Sequence, residues 1–203
     1  MTRLIAPFQI GLLLSAWMLV SCAGETEERP VTQMAVERIK APAFSSDSAY
    51  GYIQSQVDFG PRVPNSKEHV ACGDWLANEL TRHGAEVIEQ PGRVRAYDGT
   101  VLEMRNIIGQ FRPQNQERIM LYAHWDTRPF ADKDTIRIRE PIDGANDGGS
   151  GVGVLLEVAR ILGADTTLDV GIDVIFFDAE DYGAPEWANT GNGSITTWCL
   201  GSQ

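Results

Sequence analysis

Two hydrophobic periods divide the chain. Ile172-Asp173-Val174-Ile175-Phe176-Phe177 is almost continuously apolar over strand length, which predicts a strand buried on both faces, as in a parallel sheet. Arg118-Ile119-Met120-Leu121-Tyr122-Ala123 has the same character and predicts a second buried strand. Ala85 to Gln90 and Val101 to Phe111 also read as strands, broken by Pro91-Gly92 and Asp98-Gly99. Helical spacing governs three other stretches. Ser45-Ser46-Asp47 offers N-caps for a helix carrying Tyr50, Ile53 and Val57, and Gly60-Pro61 stops it. Ser66 caps a second helix with the stripe Val70, Leu76, Ala77 and Leu80, closed by Gly84. Val152, Leu155, Leu156 and Ala159 define a third, from Val152 to Leu162, closed by Gly163. Strands alternating with helices predict an α/β domain over residues 45–203. No internal repeat is visible.

Composition narrows the class. An apolar share of 43% and a charged share of 22% fit one globular domain rather than disorder. The net charge of -11 argues against nucleic acid as a partner and against direct binding to an anionic membrane surface. The N-terminus stands apart. Arg3, the apolar run from Ile10 to Val20 and the small residues before Cys22 predict a secretory signal over residues 1–21. Leu19-Val20-Ser21-Cys22 resembles the lipobox of bacterial lipoproteins, in which the cysteine is lipidated and becomes the mature N-terminus. A plain signal peptide or a membrane anchor is the alternative, although the apolar run is short for a span. Residues 22–44 then form a polar, lipidated tether. The expected location is an exported, membrane-anchored lipoprotein facing the periplasm or cell surface. Cys72 and Cys199 remain as buried thiols or as a pair.

Candidate chemistry gathers at strand ends. Glu180 and Asp181 follow the Ile172–Phe177 strand, and α/β sheets bind ligands outside the carboxyl ends of their strands. Neighbours on an extended chain point to opposite sides. Glu180 and Asp181 can therefore serve two tasks, one facing a metal and one a reacting group, unless they are simply solvated loop acids. His124-Trp125-Asp126 ends the other buried strand, and alternation puts His124 and Asp126 on one side. That suits an imidazole oriented by a carboxylate beside a metal. Asp143-Gly144-Ala145-Asn146-Asp147-Gly148-Gly149-Ser150-Gly151 leads into the third helix. Its spacing matches neither phosphate-binding glycine fingerprint, and Asp143 and Asp147 would repel an anion. Asp147 is better placed to hold a cation, with glycines letting the backbone bend closely around it. His69 and His83 read as ordinary surface or core histidines.

The segments Phe59-Gly60-Pro61-Arg62, Ala123-His124-Trp125-Asp126, Gly144 to Val152, Phe176 to Asp181 and Leu200-Gly201-Ser202 together resemble the M28-type zinc peptidase superfamily, which includes aminopeptidases and glutaminyl cyclases. The resemblance implies a three-layer αβα fold with a mixed, mainly parallel central sheet. Within the superfamily the stretch between Asp181 and Gly201, holding Trp187 and Trp198, resembles the glutaminyl-peptide cyclotransferases, as does Asp126-Thr127-Arg128-Pro129-Phe130. These convert an N-terminal glutamine of a peptide or protein to pyroglutamate and release ammonia. The implied roles are Asp147 and Asp181 as ligands of one Zn²⁺, Glu180 as general acid/base and Trp187 as a wall of the substrate pocket. His124 would be a ligand in the aminopeptidase branch, which carries two zinc ions, and a non-ligand neighbour together with Asp126 in the cyclase. A non-catalytic peptide-binding lipoprotein is the reading from another class. The superfamily also carries further strands, a ligand histidine and an acid supporting the catalytic glutamate, none of which follows Gln203. The expectation is thus a fold incomplete at its C-terminus and a 203-residue chain inactive by itself.

Overall fold

Residues 40–165, 167–188 and 198–203 are described by the structure, a computed structural model. The signal, Cys22 and nearly all of the tether lie outside the described residues. Helix α1 (Ser46–Asp58) starts where the Ser45 hydroxyl accepts the amide of Ser48 at 3.2 Å. Helix α2 (Lys67–Arg82) starts the same way, the Ser66 hydroxyl accepting the amide of His69 at 3.1 Å. Each cap satisfies a backbone donor that the first turn leaves without a partner. Helix α2 buries His69, Cys72, Gly73, Leu76, Ala77 and Leu80, one stripe at helical spacing. Val70 falls outside that stripe and is 55% exposed, because the face is set one position earlier, by His69. Helix α3 (Gly149–Ala164) runs past Gly163 to Asp165. A side chain at Gly163 would collide with the His83 carbonyl, so this glycine allows α3 to dock on the end of α2 rather than capping α3.

The sheet has the order β1-β2-β4-β3, from strands β1 (Glu86–Arg95), β2 (Val101–Phe111), β3 (Arg118–His124) and β4 (Gly171–Phe177). It is mixed. The β3–β4 pair is parallel, and β1–β2 and β2–β4 are antiparallel. A short turn through Gly99 (φ +88°) joins β1 to β2 and dictates a hairpin, whereas α3 supplies the crossover that a parallel pair requires. Strand β1 does not stop at Pro91-Gly92. It lies at the sheet edge, where proline removes no inner ladder hydrogen bond. The parallel register sets His124 beside Phe177, so β3 and β4 end at the same rim of the sheet.

The core lies on one face. Leu76, Leu80, Val152 and Leu156 pack against Ile107, Phe111, Trp125, Ile172, Val174 and Phe176. Burying each large side chain contributes roughly 1.5–3 kcal/mol. On the opposite face Met120 and Tyr122 of β3 are 58% and 67% exposed. Strand β3 is therefore not buried on both faces, because it lies at an edge and the described helices cover only one side. Strand β4, between two neighbours, keeps Ile172, Val174, Ile175 and Phe176 buried.

Candidate active site

The turn after β4 is held by side chains at four successive amides. Asp178 N–H donates to Asn106 Oδ1 (3.0 Å) and Ala179 N–H to Asp178 Oδ1 (2.7 Å). Glu180 N–H and Asp181 N–H donate to the two oxygens of Asp126, at 3.1 and 3.0 Å. Ala179 has φ +53°, a left-handed conformation that costs a non-glycine residue about 1 kcal/mol and persists only when its surroundings fix it. Fully buried Asp126 thus ties the end of β3 to the acidic turn. Its Oδ1 stands 3.5 Å from His124 Nδ1, outside hydrogen-bond reach, and that nitrogen is buried without a partner. The ring is held from its other side, Nε2 lying 2.9 Å from Asp147 Oδ1. Alternation pairs His124 with Asp126 only while the strand continues, and β3 ends at His124.

His124 sits among acids, Nδ1 lying 3.6 Å from Glu180 Oε2. Burial alone would lower its pKa, but Asp126, Glu180 and Asp147 overcome this and raise it to about 9. Asp147 occupies the glycine-rich turn that Arg62 anchors from below. The buried Arg62 guanidinium donates to the carbonyls of Asp143 and Gly144, and Gln56 Nε2 donates to Gly149 O at 3.1 Å. Any side chain at Gly148 would collide with His124, so glycine allows the turn to close on the end of β3.

Glu180 and Asp181 diverge. The Asp181 side chain is 8% exposed and its Oδ2 is buried without a hydrogen-bond partner. Burial first, then the charges of Asp147 and Asp126, push its pKa up to about 7. Arg128 clamps the same loop, donating to the carbonyls of Asp181 (3.1 Å) and Gly183 (3.3 Å) while its fork grips Asp132 at 2.8 and 2.6 Å. Glu180 is 33% exposed, and its Oε1 accepts the Cys199 thiol at 3.2 Å. Cys72 and Cys199 are both free, so the two do not pair. Leu200 N–H reaches Ala179 O, and Asn106 Nδ2 donates to Gly201 O at 2.7 Å, fastening Leu200-Gly201-Ser202 against the turn.

A divalent cation suits part of this donor set. Asp181 Oδ2 lacks a partner, and burial first, then the neighbouring acids, raise its pKa by disfavouring the charged carboxylate, a conflict that a cation would relieve. Among the described residues, however, no group of three His, Cys, Asp or Glu donors is arranged to hold an ion. Trp187 is 37% exposed, edge-on to Phe130 at 5.4 Å and under the Arg139 guanidinium at 5.0 Å. It therefore packs on the loop that follows His124. Residues 189–197, between Trp187 and Trp198, lie outside the described residues. Asn106 and Arg62 organise the site without having been singled out for it. Arg62 stands in a motif that the sequence does display, while a lone asparagine in a strand gives no signal.

Residues 106–203 match the model of peptidase family M28. The glutaminyl cyclase of Bacteroides thetaiotaomicron is 55% identical, with a TM-score of 0.78, over 80% of this chain and 56% of that one. A Zn-dependent exopeptidase from Parabacteroides distasonis is also 55% identical, with a TM-score of 0.76, over 80% of this chain and 56% of its own. Aminopeptidase YwaD of Bacillus subtilis is 38% identical over 82 residues, 39% of this chain and 15% of that protein. The chain thus spans little more than half of the solved structures it resembles. The described residues share the fold of the zinc-exopeptidase-like glutaminyl cyclases, and the match to peptidase family M28 spans residues 106–203, just under half of the chain.

Proposed function

We propose that the protein is a glutaminyl-peptide cyclotransferase acting on peptides or proteins that begin with glutamine. The observation that carries this reading is the likeness to a glutaminyl cyclase at 55% identity over 80% of the chain. The site's own chemistry is compatible with it. Asp147 and Asp181 would be ligands of a single zinc ion, which when bound acts as a Lewis acid toward an amide carbonyl. Glu180 takes the proton of the substrate α-amine as its nitrogen forms a bond to the side-chain amide carbon. The same carboxyl returns a proton to the departing nitrogen as the bond to ammonia breaks, and no water is consumed. Both reacting groups belong to one residue, so the protein mainly has to hold a cyclising conformation. Trp187, packed against the loop after His124, would form one wall of the pocket.

The Zn-dependent exopeptidase at equal identity favours a second reading, an aminopeptidase. Glu180 would then activate a water, and His124, already bonded to Asp147, would join a two-zinc site. Incubating the protein as its host makes it with a Gln-initiated peptide and with an aminoacyl anilide separates the two. Release of ammonia with a pyroglutamyl product is expected; rapid release of free N-terminal amino acids without cyclisation would sink the cyclase. We also propose that Cys22 carries a lipid anchor. In a bacterium with lipoprotein processing, Cys22→Ser should lose membrane partitioning and the mass of the lipid, and unchanged partitioning would rule the anchor out.

A further inference from the structure

His69 of α2 is a buried histidine that the proposed chemistry does not use. It is 3% exposed, and its Nε2 lies 2.8 and 2.9 Å from the two oxygens of Asp178, which is itself fully buried. Ionised carboxylate oxygens only accept, so Nε2 carries the hydrogen and donates. The remaining capacity of Asp178 goes to backbone, Oδ2 accepting Arg105 N–H at 2.7 Å and Oδ1 accepting Ala179 N–H at 2.7 Å. A satisfied core histidine would be the ordinary explanation. Its location argues for more.

Asp178 opens the acidic turn, and Ala179, whose amide it receives, is the left-handed residue directly before Glu180. Releasing Asp178 from His69 would leave a buried carboxylate short of donors and free to turn away. Ala179 would then lose the contact that holds its unfavourable backbone, and Glu180 would lose its aim. The His69 ring also stacks on Trp125 at 4.3 Å and 15°. Trp125 lies between His124 and Asp126, and its amide bonds Phe177 O at 3.0 Å. One side chain of α2 thus braces the ends of both β3 and β4.

We propose that His69 is a positioning residue, acting through Asp178 and the Ala179 turn to hold Glu180 where it can move a proton. This deepens the catalytic reading and rests on Glu180 as the proton carrier. The test compares His69→Leu, His69→Gln and His69→Asn in the protein as its host makes it. Two measurements are made, turnover of whichever substrate the wild type accepts and amide hydrogen exchange over residues 178–182. His69→Leu should lower kcat by about 10²-fold, with KM within about 2-fold. It should also speed exchange at the turn and at Arg105 N–H, which Asp178 accepts, while leaving the rest of the β1–β2 hairpin unchanged. Glutamine, whose amide N–H reaches further, should recover at least ~10-fold of the loss; asparagine, one methylene shorter, should not. His69→Leu with kcat within ~3-fold of wild type overturns the proposal. Should that variant not fold, equal turnover of the Gln and Asn variants does the same. A wild type inactive on both substrates would count against the catalytic reading alone, because the exchange comparison still decides whether His69 holds the turn.

Discussion

Glu180 and Asp181 are chain neighbours in opposite surroundings. Glu180 is a third exposed and hydrogen-bonded to a thiol, while Asp181 is enclosed with one oxygen lacking a partner. A proton carrier has to reach substrate; a metal ligand has to be confined. Strand alternation predicts two different surroundings, but β4 ends at Phe177, and it is the left-handed turn at Ala179 that separates the two side chains. The work of Asp126 is not legible in the sequence, because its partners are backbone amides of a turn that the sequence does not locate in space. His69 is illegible for the same reason, lying 109 positions from Asp178. Exchanging Glu180 for Gln keeps size and removes the base, so turnover should fall at least ~10²-fold with zinc content retained. Asp147→Ala should lose zinc as well as rate. Kinetics combined with metal analysis checks both, and near wild-type activity in Glu180→Gln would overturn the assignment.

At the scale of elements, periodicity locates the three α-helices of the described residues; Ser45 and Ser66 cap the first two as local chemistry requires, and α3 starts after Gly148 without a side-chain cap. Long-range pairing decides the rest. Pro91 breaks a strand only where its missing N–H is needed, and an edge strand does not need it. The β3–β4 pair carries its own test, away from the acidic turn. Arg118 grips Asp173 with Nε at 2.8 Å and Nη2 at 2.7 Å, and Gln110 Nε2 adds a third bond at 2.8 Å. Arg118 first, and Gln110 after it, hold the Asp173 carboxyl below its ordinary 3.8. A carboxyl with a depressed folded pKa stabilises the fold fully above the unfolded value and loses that contribution as pH falls through the folded one. Asp173→Asn should therefore cost ~1–2 kcal/mol near neutral pH. The gap to wild type should stay level down to about pH 5 and shrink below about pH 4. Denaturant melts across that range check it, and a gap independent of pH would show that the pair contributes nothing through charge.

For the whole molecule, the α/β class follows from the hydrophobic periods and the mixed sheet from the family resemblance, but the covering of the sheet is legible in neither. An apolar run of strand length is the same in sequence whether one face or two is buried. In β3 that difference leaves Met120 and Tyr122 exposed, and across the sheet Ile88 of β1 is 44% exposed. Apolar side chains on an open sheet face beside an unpaired edge invite association with another chain. Opposing this, the net charge of -11 keeps copies apart at low salt and less so at high salt, where screening shortens its reach. The 203-residue chain should therefore bind an apolar fluorescent dye while folded and self-associate increasingly as salt is added. Met120→Lys with Tyr122→Lys places two charges on that face without touching the core formed by Leu76, Leu80, Val152 and Leu156. The double variant should lose most of the dye signal and sediment as a monomer at high salt. Its thermal midpoint should move by no more than about 4 °C, as expected for exposed substitutions. Dye binding and sedimentation identical to wild type would mean that the sticky surface lies elsewhere, and a large fall in the midpoint would mean that β3 is packed on both faces after all.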